Sequence, residues 1–228
     1  MDLSSPECLE RVELYRGRWL TLSKVVFKNR RGGMETGEMV SRVKRSPSPC
    51  PAQWTDSRTR GCEGVTCILT LSSPGERYLV LISEYRYPVQ GIVLSFIEGL
   101  VDPGDTGIED SALREVQEET GIEASPIHVD RAVSPPRTVY VDSWKSDETS
   151  CAVIVNVPIG EKRAEDILGA QALEGEEDIR VEIFPGLGKK GFYQSVMDRC
   201  DLNGWTLTAD VMAYLQGLEM ANVIKGIK

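Results

Sequence analysis

The 228-residue sequence predicts an α/β fold, an α/β/α sandwich with a mixed sheet that follows a small β-rich N-terminal element. Short apolar runs typical of strands recur along the chain, and residues 106–120 and 209–222 have helical periodicity. The residues before position 46 contain strand patterns and a turn signal but no helical pattern. We therefore place the N-terminal element, with an exposed loop, at residues 1–60 and the main domain at residues 61–228.

The N-terminal element is predicted from two strand-like runs around a turn. Residues 25–27 and 39–43 are the strands, and the Arg-Arg-Gly-Gly sequence at 30–33 is the turn between them. Residues 46–61 are rich in proline, serine and charge, which favours an exposed loop.

The main domain is predicted to alternate strands with two helices. A hairpin is expected around residues 73–75, and a buried strand precedes the first helix. The last helix has Val211, Met212, Leu215 and Leu218 at helical spacing. The predicted strands are 65–71, 78–85, 92–97, 128–134, 151–157 and 179–184.

Charge and composition exclude several classes of protein. A net charge of −9 disfavours nonspecific nucleic-acid binding, which needs a basic surface. No apolar run reaches the length of a membrane span, and the N-terminus lacks a basic segment followed by an apolar one. We expect a cytoplasmic protein without nucleic-acid or membrane partners.

Cysteine and histidine usage argues against zinc and against nucleophilic pairs. The six cysteines include no Cys-x-x-Cys pair, and His128 is the single histidine. In the cytosol we expect all six thiols to be reduced.

Residues 114–122, Arg-Glu-Val-Gln-Glu-Glu-Thr-Gly-Ile, carry the most functional information. Helical spacing places Glu115, Glu118 and Glu119 in one cluster of carboxylates, whose mutual repulsion a divalent cation with oxygen ligands would relieve. Thr106 and Glu109 have the spacing of a capping box, and Gly121 fits a left-handed helix end. The alternative for this helix alone is an ordinary solvated acidic face.

The residues before this helix favour a metal site. The Gly-Leu-Val-Asp-Pro-Gly-Asp sequence at 99–105 follows the predicted buried strand. Glycines let a backbone approach a ligand closely. A loop carbonyl and the helix carboxylates can then share one metal.

Residues 99–122 resemble the Nudix box, G-x5-E-x7-R-E-U-x-E-E-x-G-U, where U is a bulky apolar residue. Its second half is matched at every specified position, by Arg114, Glu115, Val116, Glu118, Glu119, Gly121 and Ile122. Its first half departs twice. Asp105 replaces the glutamate, and eight residues instead of seven separate it from Arg114.

Most of the chain resembles the ADP-sugar pyrophosphatases of the ADP-ribose type within this family. The shared sequences are Gly-Arg-Trp-Leu at 17–20, Val-Lys-Arg at 43–45, Glu-Tyr-Arg-Tyr-Pro at 84–88 and Leu-Thr-Ala-Asp at 207–210. The resemblance implies hydrolysis of ADP-ribose or a related ADP-sugar into AMP and a sugar phosphate, with Mg²⁺ or alternatively Mn²⁺. It also implies a homodimer formed through the N-terminal element.

The resemblance implies a role for particular residues. The implied metal ligands are Glu98 through its backbone carbonyl, Glu115, Glu118 and Glu119, and the last two are also catalytic candidates. The general base is expected from the acidic residues 174–178, with Glu177 as the best match. Trp19, Arg45, Arg86 and Leu100 are the substrate-binding candidates. Arg114 is expected to form an ion pair that orients a box carboxylate.

Two other functions stay open from the sequence. The enzyme could act on a different nucleoside diphosphate sugar, such as UDP-glucose, which a substrate panel would reveal. The chain could instead be a non-catalytic module that binds ADP-ribose or a nucleotide, which tight binding without turnover would reveal.

Overall fold

The computed structural model describes residues 7–29, 31–43, 62–102, 104–130, 138–173 and 178–226. The chain forms two compact units. The first contains Met1–Gly64 and Arg137–Cys151, and the second contains Val65–Pro136 and Ala152–Lys228. The division predicted at residue 60 stays a prediction.

The first unit contains a three-stranded antiparallel sheet. Its strands are β1 (Glu7–Arg16), β2 (Leu20–Lys28) and β3 (Met34–Arg42), in the order β1-β2-β3. This sheet confirms the predicted β-rich N-terminal element and its turn between residues 28 and 34.

A hairpin in the same unit packs against the end of this sheet. Strand β8 (Thr138–Tyr140) pairs with the first residues of β9 (Thr149–Pro158). In the loop between them Asp147 is buried, and its carboxylate accepts from the Arg11 guanidinium at 3.4 Å. The Val40 amide also donates to the Lys145 carbonyl at 2.8 Å. Strand β1 and the hairpin loop are therefore held together by a largely desolvated ion pair.

The second unit is built around a mixed sheet with β5 (Glu76–Arg86) at its centre. Strand β5 pairs antiparallel with β4 (Gly64–Ser73), β6 (Gly91–Ser95) and β10 (Ile179–Pro185). Strand β7 (Ile97–Leu100) and β9 pair with β4, and β11 (Thr206–Leu207) runs parallel to β6.

Helices cover both faces of this sheet. Successive side chains of a strand point to opposite faces. Accordingly, Val80 and Ile82 of β5 pack in one apolar cluster with α1 (Ile108–Thr120). Leu79 and Leu81 pack in a second cluster with α2 (Phe192–Asn203) and α3 (Ala209–Gly226). The predicted α/β/α sandwich with a mixed sheet is thus confirmed.

Two elements differ from the sequence prediction. Helix α2 was not predicted, although its buried residues Phe192, Val196 and Cys200 recur every four positions. The strand predicted at 128–134 is wrong at His128, the last residue of the 3-10 turn Pro126–His128, whereas Val129 forms an isolated antiparallel β-bridge with Val155. Residues 131–134 lie outside the described residues.

Not all of the cysteines are reduced, in contrast to the sequence prediction. Cys8 is disulfide-bonded, so the expectation of six reduced cysteines is wrong for that residue. Free thiols belong to Cys62, Cys67, Cys151 and Cys200. In the described part of the chain, no helix combines the length and apolar character needed to cross a membrane.

Candidate functional site

The candidate site lies in the second unit, where α1 packs beside β7. The strand predicted at 92–97 is divided at Phe96 into β6 and β7. Glu98, Gly99 and Leu100 therefore belong to a strand and not, as predicted for the last two, to a loop. This strand is one wall of the site, and α1 is the other.

The ends of α1 explain its length. Gly107 is the N-cap and makes no side-chain cap hydrogen bond. The predicted capping box is therefore wrong, and the Thr106 hydroxyl instead bonds the Asp110 carboxylate. At the other end Gly121 adopts φ 68°, the left-handed conformation that was predicted for it.

The three clustered glutamates of α1 are not equally exposed. Glu115 and Glu119 are buried, with 8% and 6% of their surface exposed. The Glu118 side chain is 31% exposed. Burying a carboxylate is costly unless it is paired or binds a cation. The burial of two of them argues against an ordinary solvated acidic face.

Arg114 joins several carboxylates around the site. Its Nη1 donates to Glu115 Oε1 at 2.8 Å and to Glu118 Oε2 at 2.9 Å. Its Nη2 donates to the Leu100 carbonyl at 2.7 Å and to Asp105 Oδ2 at 3.2 Å. The predicted ion pair to a box carboxylate is present, and the same guanidinium also ties α1 to the end of β7.

Asp105 replaces the glutamate of the box pattern and lies one residue further from Arg114, yet it bonds to Arg114. Besides Arg114, its Oδ2 accepts from the Ser111 hydroxyl at 2.6 Å and from the Asp102 amide at 2.9 Å. The hydrogen bond from Arg114, followed by these donors, lowers the pKa of Asp105 to about 2. Asp105 is therefore ionised at neutral pH. The extra residue before Arg114 is accommodated without loss of the Asp–Arg contact, a pairing that the sequence alone did not establish.

At Gly99 any side chain would collide with the Glu115 carboxylate in its present position. A Cβ atom added there would lie 1.8 Å from Cδ and from Oε1 of Glu115. The Glu115 carboxylate thus lies directly against the backbone of β7. The Leu100 carbonyl of β7 and the Glu115 carboxylate of α1 both accept from the Arg114 guanidinium, so they lie near one another.

The buried thiol of Cys67 lies behind the carboxylates. Its Sγ donates to the Ala112 carbonyl at 3.4 Å. Burial raises its pKa well above the usual value, and the negative charges of Glu119, Glu115 and Glu98 raise it further. The three carboxylates are therefore all near enough to Cys67 to affect its thiol.

The donors present fit a hard divalent cation. Such a cation prefers carboxylate and carbonyl oxygens, and Glu115 and the Leu100 carbonyl supply both kinds around one guanidinium. In the described residues no three His, Cys, Asp or Glu side chains already form a metal-binding group. In this arrangement Glu115 and Glu118 both bond to Arg114.

The other predicted site residues have the following positions. Arg86, at the end of β5, pairs with Glu84 at 3.0 Å, and its side chain is 46% exposed. Trp19 belongs to the first unit, is 67% exposed, and has the Arg18 guanidinium 4.6 Å from its ring centre. Arg45 and Glu177 lie outside the described residues. The roles of these residues stay predictions.

Comparison with known proteins places this site in a family. The family model described as NUDIX domain matches residues 63–185, more than half of the chain. A nudix hydrolase of Caenorhabditis elegans is 26% identical over 210 residues, which cover 92% of this chain and 84% of that protein. The ADP-ribose pyrophosphatase of Saccharomyces cerevisiae is 25% identical over 209 residues, which cover 90% and 78%.

A solved structure supports the fold. The crystal structure of an ADP compounds hydrolase matches with a TM-score of 0.57 and 17% identity, and the match covers 99% of this chain and 97% of that one. At this identity the similarity concerns the fold alone.

Proposed function

Because the chain belongs to the Nudix family, we propose that it is a metal-dependent hydrolase that cleaves the diphosphate bond of ADP-ribose or a related ADP-sugar. The observation that carries the proposal is the carboxylate cluster of α1, with Glu115 placed against Gly99 of β7. Water adds across the phosphoric anhydride, one P–O bond breaks, and the products are AMP and a sugar phosphate.

We assign the metal to the oxygens between β7 and α1. The ligands in this proposal are the backbone carbonyl of Glu98 and the carboxylates of Glu115, Glu118 and Glu119. Mg²⁺ suits such oxygens, and Mn²⁺ is the alternative. Bound there, the metal would neutralise phosphate oxygens and lower the pKa of a water molecule.

The remaining roles concern protons and substrate orientation. Glu177 is our candidate for the general base that removes a proton from the attacking water. Arg86 and Arg45 are assigned to the diphosphate or ribose, because a guanidinium matches phosphate geometry. Trp19 is assigned to stacking on adenine and Leu100 to the floor of the substrate site. The exposure of the Trp19 ring supports stacking, since a core tryptophan would be buried.

The choice of ADP-ribose rests on sequence similarity. The Saccharomyces cerevisiae relative is named an ADP-ribose pyrophosphatase, and its match covers 90% of this chain. UDP-glucose is the main competing substrate within the enzyme class.

The deciding experiment is a panel of nucleoside diphosphate sugars incubated with the purified protein and Mg²⁺. We expect AMP and ribose 5-phosphate from ADP-ribose, and no release when EDTA removes the metal. Both products should be identified by mass. Faster cleavage of UDP-glucose would reassign the substrate.

One observation favours a non-catalytic binding module instead. The Arg114 guanidinium lies 2.8 Å from Glu115 and 2.9 Å from Glu118, so it partly neutralises the cluster without a metal. Calorimetry with ADP-ribose separates the two functions. Tight binding with no turnover under Mg²⁺ or Mn²⁺ would establish the module.

We also propose that the protein is a homodimer formed through the first unit. Several large apolar side chains are exposed on its sheet and at the β1–β2 turn, and exposed apolar side chains that form a patch mark interaction surfaces. They are Leu9, Val12, Leu14, Tyr15, Trp19, Leu20 and Met34. Strand β1 is also an edge strand, which a second copy can cover around a two-fold axis.

Leu14→Lys is expected to convert this dimer into a monomer. Leu14 is 51% exposed on β1, and a buried lysine at a two-fold interface would meet its symmetry mate. Light scattering after size exclusion should give twice the 25.2 kDa chain mass for the wild type and one chain for the variant. Ile127→Lys is the matched control, because Ile127 is 86% exposed in the second unit. A wild-type monomer at every concentration would refute the dimer.

A further inference from the structure

The negative charges at the C-terminal end of α1 are electrostatically unfavourable. Glu118 and Glu119 lie in the last turn, where the helix dipole is already negative, and no basic residue lies in that turn. The last four carbonyls of a helix also lack partners within the helix. The last turn carries these carboxylates. Its backbone carbonyls therefore need hydrogen-bond donors from outside the helix if the turn is to keep its position.

The four carbonyls all have donors, and a segment at residues 169–172, here called the strap, supplies three of them. The donor–acceptor pairs are Gly121 N to Gln117 O at 2.8 Å, Ala172 N to Glu118 O at 2.8 Å, Gln171 Nε2 to Glu119 O at 2.5 Å and Gly169 N to Thr120 O at 3.2 Å. The strap thus bonds the backbone of both glutamates in the last turn.

The strap lies in close contact with the helix end. A Cβ atom added to Gly169 would lie 2.4 Å from the Gly121 carbonyl oxygen. Because the neighbouring atoms are backbone, neither segment can move aside cheaply. The two glycines thus set the distance between the strap and α1.

Gln171 makes the one side-chain contact among these donors. Its Nε2 donates both to Glu119 O and to the Ile179 carbonyl at 3.2 Å, the first residue of β10. A carboxamide has two N–H groups, and two carbonyl acceptors fix which end of the amide faces them. The side chain therefore links the last turn of α1 to the start of β10.

We propose that Gln171 is a positioning residue for the carboxylates of α1, which it acts on through the Glu119 backbone. The inference rests on the proposed metal-dependent function. Gln171 touches neither substrate nor metal. It holds the last turn of α1 at a fixed distance from β10, so that Glu118 and Glu119 approach a cation without the turn unwinding or shifting.

The test replaces Gln171 with methionine, which keeps the length of the side chain and removes both donors. Mn²⁺ binding is measured by calorimetry on the full-length protein without substrate, and kcat and KM are measured wherever turnover occurs. Gln194→Met is the matched control, because Gln194 Nε2 donates to Asp198 at 2.7 Å on the exposed side of α2.

We expect Gln171→Met to raise the Kd for Mn²⁺ by about 5-fold, the factor that corresponds to the loss of its hydrogen bond to the Glu119 carbonyl. Unfolding without metal should stay cooperative, with a midpoint only slightly below that of Gln194→Met, because the strap keeps its two backbone hydrogen bonds to α1. If turnover occurs, kcat should fall while KM stays unchanged. Gln171→Glu should weaken Mn²⁺ binding further, since a carboxylate would face two carbonyl oxygens.

The outcomes separate this inference from the proposed function. Wild-type Mn²⁺ affinity and kcat in Gln171→Met would overturn the positioning role while leaving the enzyme assignment intact. Mn²⁺ binding by the wild type without turnover of any diphosphate would overturn the function, and the ratio of Kd values would still decide the role of Gln171. An equal loss of Mn²⁺ affinity in Gln194→Met would also overturn it.

Discussion

Glu119→Gln is expected to lower kcat for AMP release by more than about 100-fold, beyond the loss usual for residues that only support metal ligands. Glutamine has nearly the same shape, so the change removes a negative charge and little else. Glu119 is 6% exposed in the last turn of α1, next to Glu115 and Glu118. Loss of that charge removes a ligand from the proposed metal site.

The same substitution should leave the protein as stable as before or more stable in the absence of metal. Like charges at this spacing repel one another, and a negative charge is unfavourable at the C-terminal end of a helix. A variant that is inactive and no less stable would separate chemistry from folding. This combination is the behaviour expected of a residue kept for function at a cost in stability.

The measurement pairs steady-state kinetics on ADP-ribose with thermal unfolding in EDTA. Glu123→Gln is the matched control, since it removes the same charge from an exposed position just after the helix. We expect the control to keep wild-type kcat. Robust turnover by Glu119→Gln would remove Glu119 from the metal site, and unfolding at a much lower temperature would leave folding as the cause of its inactivity.

The sequence predicted those parts of the fold in which one local pattern decides the structure. The acidic helix, the Gly121 end and the hairpin of β4 and β5 follow from periodicity and turn residues, and all are present. Helix α2 was missed although half of its residues are apolar, because polar residues interrupt them and no cap signal marks its start. Burial of Phe192, Val196 and Cys200 against the sheet, and not helix propensity, stabilises it.

Contacts between distant parts of the chain could not be predicted from spacing. The sequence did not show that Asp105, one residue out of register, would still reach Arg114. Hydrogen bonds from the Asp102 amide and from the Ser111 hydroxyl of α1 hold the Asp105 carboxylate in place for that contact. Gln171 carried no sequence signal at all, because its partners on α1 and β10 are backbone carbonyls that any residue type would provide.

Glu115 lies so close to Gly99 that a side chain added at position 99 is expected to have a large effect on kcat. The sequence placed Gly99 in a loop where a missing side chain lets the backbone approach a ligand, whereas Gly99 lies in strand β7. The missing side chain makes room for a carboxylate of the protein itself. The place where its side chain would be is occupied by the Glu115 carboxylate.

Gly99→Ala is accordingly expected to lower kcat by about 100-fold, the loss that a misplacement of roughly 1 Å in a catalytic group can cause. The added methyl group would overlap Cδ of Glu115, 1.8 Å away in the wild type. Because that atom lies at the end of a flexible side chain, the carboxylate can rotate away and the backbone can stay in place. Rotation breaks its 2.8 Å bond to Arg114 and removes it from the proposed metal site.

Gly217→Ala in α3 is the control for the same chemical change, because no atom lies within 4 Å of the added Cβ. It should raise stability by about 0.5–1 kcal/mol, the usual gain from replacing a helical glycine, with wild-type kinetics. For Gly99→Ala, Mn²⁺ affinity should fall together with kcat, while the unfolding transition stays cooperative. Unchanged Mn²⁺ affinity and kcat in that variant would mean that Glu115 does not act from the position it occupies against β7.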